Sequence, residues 1–133
     1  MKAINARATR GLNIGSLLVA TDNSGANIVR IVSVKGGKSV KKRQQYAKIA
    51  DLVKVSVRKG KPEIIGQVFD AIVVRQRRIY RRKDGERIAF SDNAVALLKD
   101  EKGNPKGTQI KGPIAKEVME RWVSVAKIAR IIV

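Results

Sequence analysis

Residues 52–58 read Leu-Val-Lys-Val-Ser-Val-Arg, and this strict alternation marks a half-buried β-strand. Val53, Val55 and Val57 face one side, and Lys54, Ser56 and Arg58 face the other. The same reasoning extends along the chain. Residues 17–22 read as a strand and Asn23-Ser24-Gly25-Ala26 as a tight turn, since Asn, Ser and Gly tolerate the backbone such a turn needs. The β-branched run 28–34 closes a hairpin. Residues 66–78 form a longer strand, apolar through Val68, Phe69, Ala71, Ile72, Val73 and Val74. Asp84-Gly85 signals a hairpin turn, residues 88–90 return from it, and 93–98 add a further strand. Lys59-Gly60-Lys61-Pro62 and Lys102-Gly103-Asn104-Pro105 read as breaks between elements. Short strands at this spacing point to a mainly β fold, a small barrel or a sandwich. A barrel has the advantage of leaving no open sheet edge.

After Gly112-Pro113 the pattern changes. Residues 114–122 suit a short helix, with Pro near its first turn, Glu117 near its start and Arg121 at its end. The apolar tail 123–133 suits either helix or strand, with a second short helix favoured. The 133 residues suffice for one domain, with 1–16 as an N-terminal arm and 113–133 as a C-terminal helical segment.

Charge narrows the function. The 29 Lys and Arg outnumber the 11 Asp and Glu, for a net charge of +18. A folded body this basic repels itself and attracts polyanions. Nucleic acid fits best, because each phosphate neutralised releases a counterion. Binding to an anionic membrane normally requires a basic amphipathic helix or a lipid anchor, and the sequence offers neither, so no membrane partner is expected. No apolar run approaches the roughly 20 residues that span a bilayer, and the first residues lack a signal peptide's apolar stretch, so the expected location is cytoplasmic. Without Cys or His there is no thiolate nucleophile, no zinc-cysteine site, no histidine ligand and no imidazole base. The carboxylates show no spacing of an acid/base pair or metal loop, so neither catalysis nor a cofactor is expected.

Two basic clusters carry the expected RNA contacts. The first is Lys35, Lys38, Lys41, Lys42, Arg43 and Lys48, in a loop opened by Lys-Gly-Gly-Lys that holds no acid. The second is Arg75, Arg77, Arg78, Arg81, Arg82 and Lys83, on the arms of a hairpin. All five basic residues from 75 to 82 are Arg, whose rigid fork binds phosphate bidentately and loses less entropy per bond than Lys. Lys59 and Lys61 add cations beside a turn, and Tyr80 is flanked by basic residues. The plain alternative for each cluster is a solvated face that keeps the protein soluble. Of the five aromatic residues, Phe69 and Phe90 lie in apolar strands, and only Tyr46 and Tyr80 are flanked by basic residues. That is too few for a base-stacking platform, which favours folded RNA read by shape and phosphate over a single strand.

Three ordered motifs resemble large-subunit ribosomal protein fourteen, a universal family. They are Ala20-Thr21-Asp22-Asn23-Ser24-Gly25-Ala26; the run from Ala71-Ile72-Val73-Val74-Arg75 through Arg81-Arg82-Lys83-Asp84-Gly85 to Phe90 and Asp92-Asn93-Ala94; and Lys106-Gly107-Thr108 followed by Gly112-Pro113-Ile114-Ala115-Lys116-Glu117. The resemblance covers about residues 15–133, and Lys59-Gly60-Lys61-Pro62-Glu63, Arg75-Gln76-Arg77-Arg78, Tyr80 and Trp122 look like its archaeal and eukaryotic branch. It implies a closed five-stranded β-barrel with a projecting hairpin and short C-terminal helices. It also implies a structural role in the large subunit, with large-subunit rRNA bound and small-subunit rRNA touched in intersubunit bridges. Implied protein partners are ribosomal protein three, a small zinc-containing ribosomal protein, and an anti-association factor on the C-terminal region. By position the last would involve Glu117, Glu120, Arg121 and Trp122. Competing readings are a free RNA chaperone that uses Tyr46 and Tyr80, and a factor-recruiting module that uses the apolar tail.

Overall fold

The alternating valines of residues 52–58 lie in a strand as their pattern predicts, with Val53, Val55 and Val57 buried and Lys54 and Arg58 exposed. A computed structural model describes residues 2–37 and 39–133. In chain order its strands are β1 (Ala6–Arg7), β2 (Leu12–Asn13), β3 (Leu17–Ala20), β4 (Ala26–Val34), β5 (Tyr46–Ala47) and β6 (Leu52–Gly60). They continue as β7 (Val68–Arg75), β8 (Tyr80–Arg82), β9 (Arg87–Ile88), β10 (Ala94–Leu97) and β11 (Ile110–Ile114). Helices α1 (Lys116–Arg121) and α2 (Val123–Ala126) precede the final strand β12 (Ala129–Ile132).

Five strands close a barrel in the order β10-β3-β4-β6-β7. All pairings are antiparallel except β10 with β3, which is parallel and joins the two ends of the sheet. Val29, Ile31, Val53, Val55 and Val57 belong to one buried core. Each such side chain contributes about 1.5–3 kcal/mol relative to leaving it in water. An Asp in place of Val55 would bury an unpaired charge there and break the barrel.

Sequence texture tells which strands are covered on their outer side. β4 and β6 alternate, and their polar positions face solvent. β10 is buried at every position, and β7 at every position from Ala71 onward, as expected of strands whose apolar runs are continuous. The cover on β7 is the C-terminal segment: the Ala115 N–H donates to the Val74 carbonyl at 3.1 Å, and Val118 and Val125 are fully buried.

That segment departs from expectation in two places. Residues 129–132 form β12 rather than helix, paired in parallel with β11, and only 123–126 of the tail are helical. The run Ile-Ala-Arg-Ile-Ile-Val is rich in β-branched residues, which favour a pleated surface over a helix. Pro113 does not open the helix. It lies in β11, an outer strand with an irregular register where its missing N–H is tolerated, and α1 begins after Ala115.

Residues 2–13 also do more than lead into the barrel. β1 adds to the hairpin to give a three-stranded sheet, β1-β8-β9, and β2 pairs with β5. The Arg121 Nε donates to the Lys2 carbonyl at 2.6 Å, and the Asn5 N–H reaches Glu120 at 3.3 Å.

Candidate nucleic-acid interface

On the hairpin, strand parity divides the arginines. Tyr80 and Arg82 point to one face of β8 and Arg81 to the other. The inward face is a closed network. The Tyr80 hydroxyl donates to Glu117 Oε2 at 2.9 Å, and Arg82 Nε donates to Glu117 Oε1 at 2.8 Å. Tyr80 is only 2% exposed, and burial together with Glu117 pushes its phenol well above the ordinary range. Burial pulls the Arg82 guanidinium down, but the hydrogen bond and charge of Glu117 outweigh it and hold the group cationic. Tyr80 and Arg82, both expected to meet RNA, are thus engaged by Glu117 within the fold, and Glu117 is itself buried.

Arg75 is engaged within the fold in the same way. It is buried, and its Nη1 donates to the carbonyls of Lys111 and Pro113 at 3.2 and 3.3 Å. Its Nη2 donates to Asp92 Oδ2 at 3.1 Å, while Nε lies 2.9 Å from Asp92 Oδ1 but off the axis of a hydrogen bond. This guanidinium clamps β7 to β11. Gly112 makes room for it, since a Cβ there would run into Nη1, and its φ of +78° is costly for any other residue. The clue was in the sequence: Arg75 ends a run of four consecutive buried apolar residues.

Arg77, Arg78, Arg81 and Lys83 remain exposed, and no carboxylate pairs with them among the described residues. The Arg77 N–H donates to Asn93 Oδ1 at 2.8 Å, which fixes the backbone between β7 and β8. The Gln76 side chain, fully buried, accepts from the Ile49 N–H at 2.8 Å and donates to the carbonyls of Thr9 and Arg78. One buried amide thus holds the base of the second cluster, the arm and the end of the first loop together.

In that first loop Lys41, Lys42 and Arg43 are exposed, and Lys38 lies outside the described residues. Lys41 and Lys42 both adopt left-handed backbone, with φ of 53° and 64°. Gln45 fastens the loop's base, accepting from the Val34 N–H and donating to the Gly37 carbonyl. Lys35 makes an exposed ion pair with Glu101 at 3.2 Å, an interaction worth little in water. Lys35, Arg43 and Lys48 line an open cleft of about 580 Å³ with Tyr46, Arg10 and Arg121. Asp51 sits at its floor, 3.4 Å from Arg121 Nη1, and burial raises its carboxyl above the usual range despite that neighbour and the Lys48 N–H. Lys59 and Lys61 are exposed at the far end of β6.

Three cations facing these surfaces were not anticipated: Arg7, Arg10 and Arg87. The first two lie in the arm, where two-residue strands leave no readable period, but Arg87 could have been found from the turn at Asp84-Gly85, which places it opposite Arg81.

The C-terminal candidates are mostly internal. The Trp122 Nε1 donates to the Ala50 carbonyl at 2.8 Å, and Arg121 lies against Ala50 and Asp51. Glu120 is partly exposed and touches the arm. Four large apolar residues of this region, Met119, Val123, Ile131 and Ile132, are exposed, among the exposed polar residues Lys116, Ser124, Lys127 and Arg130. Among the described residues, no three His, Cys, Asp or Glu side chains gather as a metal site.

Comparison with known proteins agrees with this picture. The family model described as ribosomal protein L14p/L23e matches residues 11–133. The chain is 61% identical to the large ribosomal subunit protein uL14 of Nanoarchaeum equitans over the full length of both. It is 48% identical to uL14 of Natronomonas pharaonis and 47% to uL14 of Methanothrix thermoacetophila, again over both full lengths.

Proposed function

The chain belongs to the ribosomal protein L14p/L23e family, structural constituents of the large ribosomal subunit rather than enzymes, and we propose that it binds large-subunit rRNA through its two exposed basic surfaces. The observation that carries this reading is the set Arg77, Arg78 and Arg81: three exposed guanidiniums without carboxylate partners among the described residues, held on hydrogen-bonded backbone. Preorganised forks of this kind lose little entropy when they engage phosphate. The loop of residues 35–48 supplies the second set of phosphate-binding cations.

The finer reading places the protein on the intersubunit face of the cytoplasmic ribosome, with small-subunit rRNA touched at bridges. Ribosomal protein three, the small zinc-containing protein and an anti-association factor are its protein neighbours. The exposed apolar set at Met119, Val123, Ile131 and Ile132 supports protein docking in the C-terminal region, through these residues rather than through Glu117 or Trp122. The chaperone reading loses ground, because Tyr80 is buried and Tyr46, 45% exposed, is left as the single strongly exposed ring among the described residues.

The test is binding of an rRNA fragment across a salt series. Replacing Arg77, Arg78 and Arg81 with Ala is expected to flatten the log–log salt slope by close to one unit for each phosphate that is no longer neutralised. An unchanged slope would remove the hairpin from the interface.

A further inference from the structure

Arg7, Arg81 and Arg87 stand side by side across the three-stranded sheet. The register sets Arg7 opposite Arg81 on one side and Arg87 opposite Arg81 on the other. Residues directly opposed in a sheet carry their side chains on the same face, about 4.8 Å apart. All three are exposed, and none has a carboxylate partner among the described residues. Arg78 joins them in lining one cleft of about 390 Å³, which holds four arginines and no acid.

Such a row works against the sheet that builds it. Like charges directly opposite one another destabilise strand pairing. β1, which brings Arg7, is only two residues long and has little pairing of its own to offset the repulsion. The opposite face shows the contrast, since Arg82 there is matched by Glu117. The outer row has no such match within the described residues, so its complement comes from outside the chain. Guanidinium forks at strand spacing suit phosphate oxygens, which accept bidentate pairs.

We propose that the arm and the hairpin together form a phosphate site, with Arg7, Arg81 and Arg87 as its row of donors, and that RNA-backbone binding and docking of the arm are coupled. This deepens the RNA-binding reading and rests on it. An anion that binds only the docked arm stabilises that docking, and by reciprocity removal of the arm weakens binding of the anion. The arm is then the part of the protein that responds to RNA, while the barrel stays fixed.

The test uses the full chain and amide hydrogen exchange at residues 5–8, with and without inorganic tripolyphosphate at constant ionic strength. Protection is expected to rise several-fold with the probe. In Arg7→Gln and Arg87→Gln the rise should disappear, while protection without the probe is no lower than in the parent, because repulsion has been relieved. Equal protection with and without the probe, or a rise that survives both substitutions, overturns the proposal. Exchange in β4 and β6 reports whether each variant keeps the barrel. The same variants are then titrated with an rRNA fragment across salt, where each should flatten the slope by roughly one unit. If both match a parent that binds with a steep slope, the row is excluded and the RNA reading stands. If tripolyphosphate binds but neither variant alters RNA binding, the row serves free phosphates, and only its own assignment to RNA falls. If the parent itself fails to bind rRNA, both readings fail.

Discussion

In the first loop Lys41, Lys42 and Arg43 follow one another outside any strand, and all three reach solvent. Along residues 75–82 Arg75 at the end of β7 and Arg82 on the inward face of β8 hold the fold together, while Arg81 on the other face of β8 and Arg77 and Arg78 in the connection between the strands face outward. The two clusters look alike as strings of letters. The difference teaches that a basic run that passes through strands presents only part of its charge as a binding surface, whereas three consecutive cations on a loop all face outward.

The sharpest way to break this comparison is Glu117→Ala. It leaves a buried phenol and a nearly buried guanidinium without their acceptor, and removing one partner of such a pair costs about 3–5 kcal/mol. Chemical denaturation measures it, and a drop of less than about 1 kcal/mol would show that the inward face is not structural. Next comes the outward face: the triple variant Arg77→Ala, Arg78→Ala, Arg81→Ala should lower the rRNA salt slope by roughly two to three units. Its unfolding free energy should shift by no more than about 0.5 kcal/mol per site, as for ordinary surface changes. A matching variant of the loop, Lys41→Ala, Lys42→Ala, Arg43→Ala, should cost less affinity in the same titration, because part of the binding energy there goes into ordering the chain. Equal effects would mean that the loop is as preorganised as the hairpin. The smallest effect is expected at Ala50, which joins the loop to the barrel with φ of 66° and is fully buried. Ala50→Gly relieves about 1–2 kcal/mol of left-handed strain. It also gives up a buried methyl worth about 0.8 kcal/mol and adds chain entropy of about 0.5–1 kcal/mol to the unfolded state. Thermal unfolding should therefore show a change within about 1 kcal/mol of zero.

The barrel was legible because its information is local. Alternating valines place β6, the Asn-Ser-Gly turn places the hairpin of β3 and β4, and the continuous Ala-Ile-Val-Val run marks β7 as covered on both sides. What escaped depends on distant partners. Tyr80 has basic neighbours in sequence, which suggested a surface ring, but its parity partner is Arg82 and both meet a helix residue 37 positions from Tyr80. β12 is a strand because β11 lies alongside it in parallel, and no periodicity within four residues announces that. The arm follows the same rule. Its two-residue strands are defined by β8 and β5, so their pattern lives in the partners and not in residues 6–13. Among the residues expected to meet RNA, Lys35, Lys41, Lys42 and Arg43 of the first loop are exposed and Lys48 is half-buried, whereas those within strands needed parity and a map of the core to be sorted.

The parallel pairing of β10 with β3 has a consequence for how the chain reaches this shape. Thr21 finds its partner far along the sequence: its N–H and hydroxyl both donate to the Val95 carbonyl, at 3.0 and 3.2 Å. Until residues 94–97 have been synthesised and delivered, β3 and β7 are both open edges on a sheet already rich in valine. Closure across such a separation is slow, since the loop entropy is spent before the pairing forms, and folding on a millisecond-to-second scale is expected. During that interval the nascent half-barrel offers unpaired strands to any neighbour, and its high positive charge is what keeps those neighbours apart.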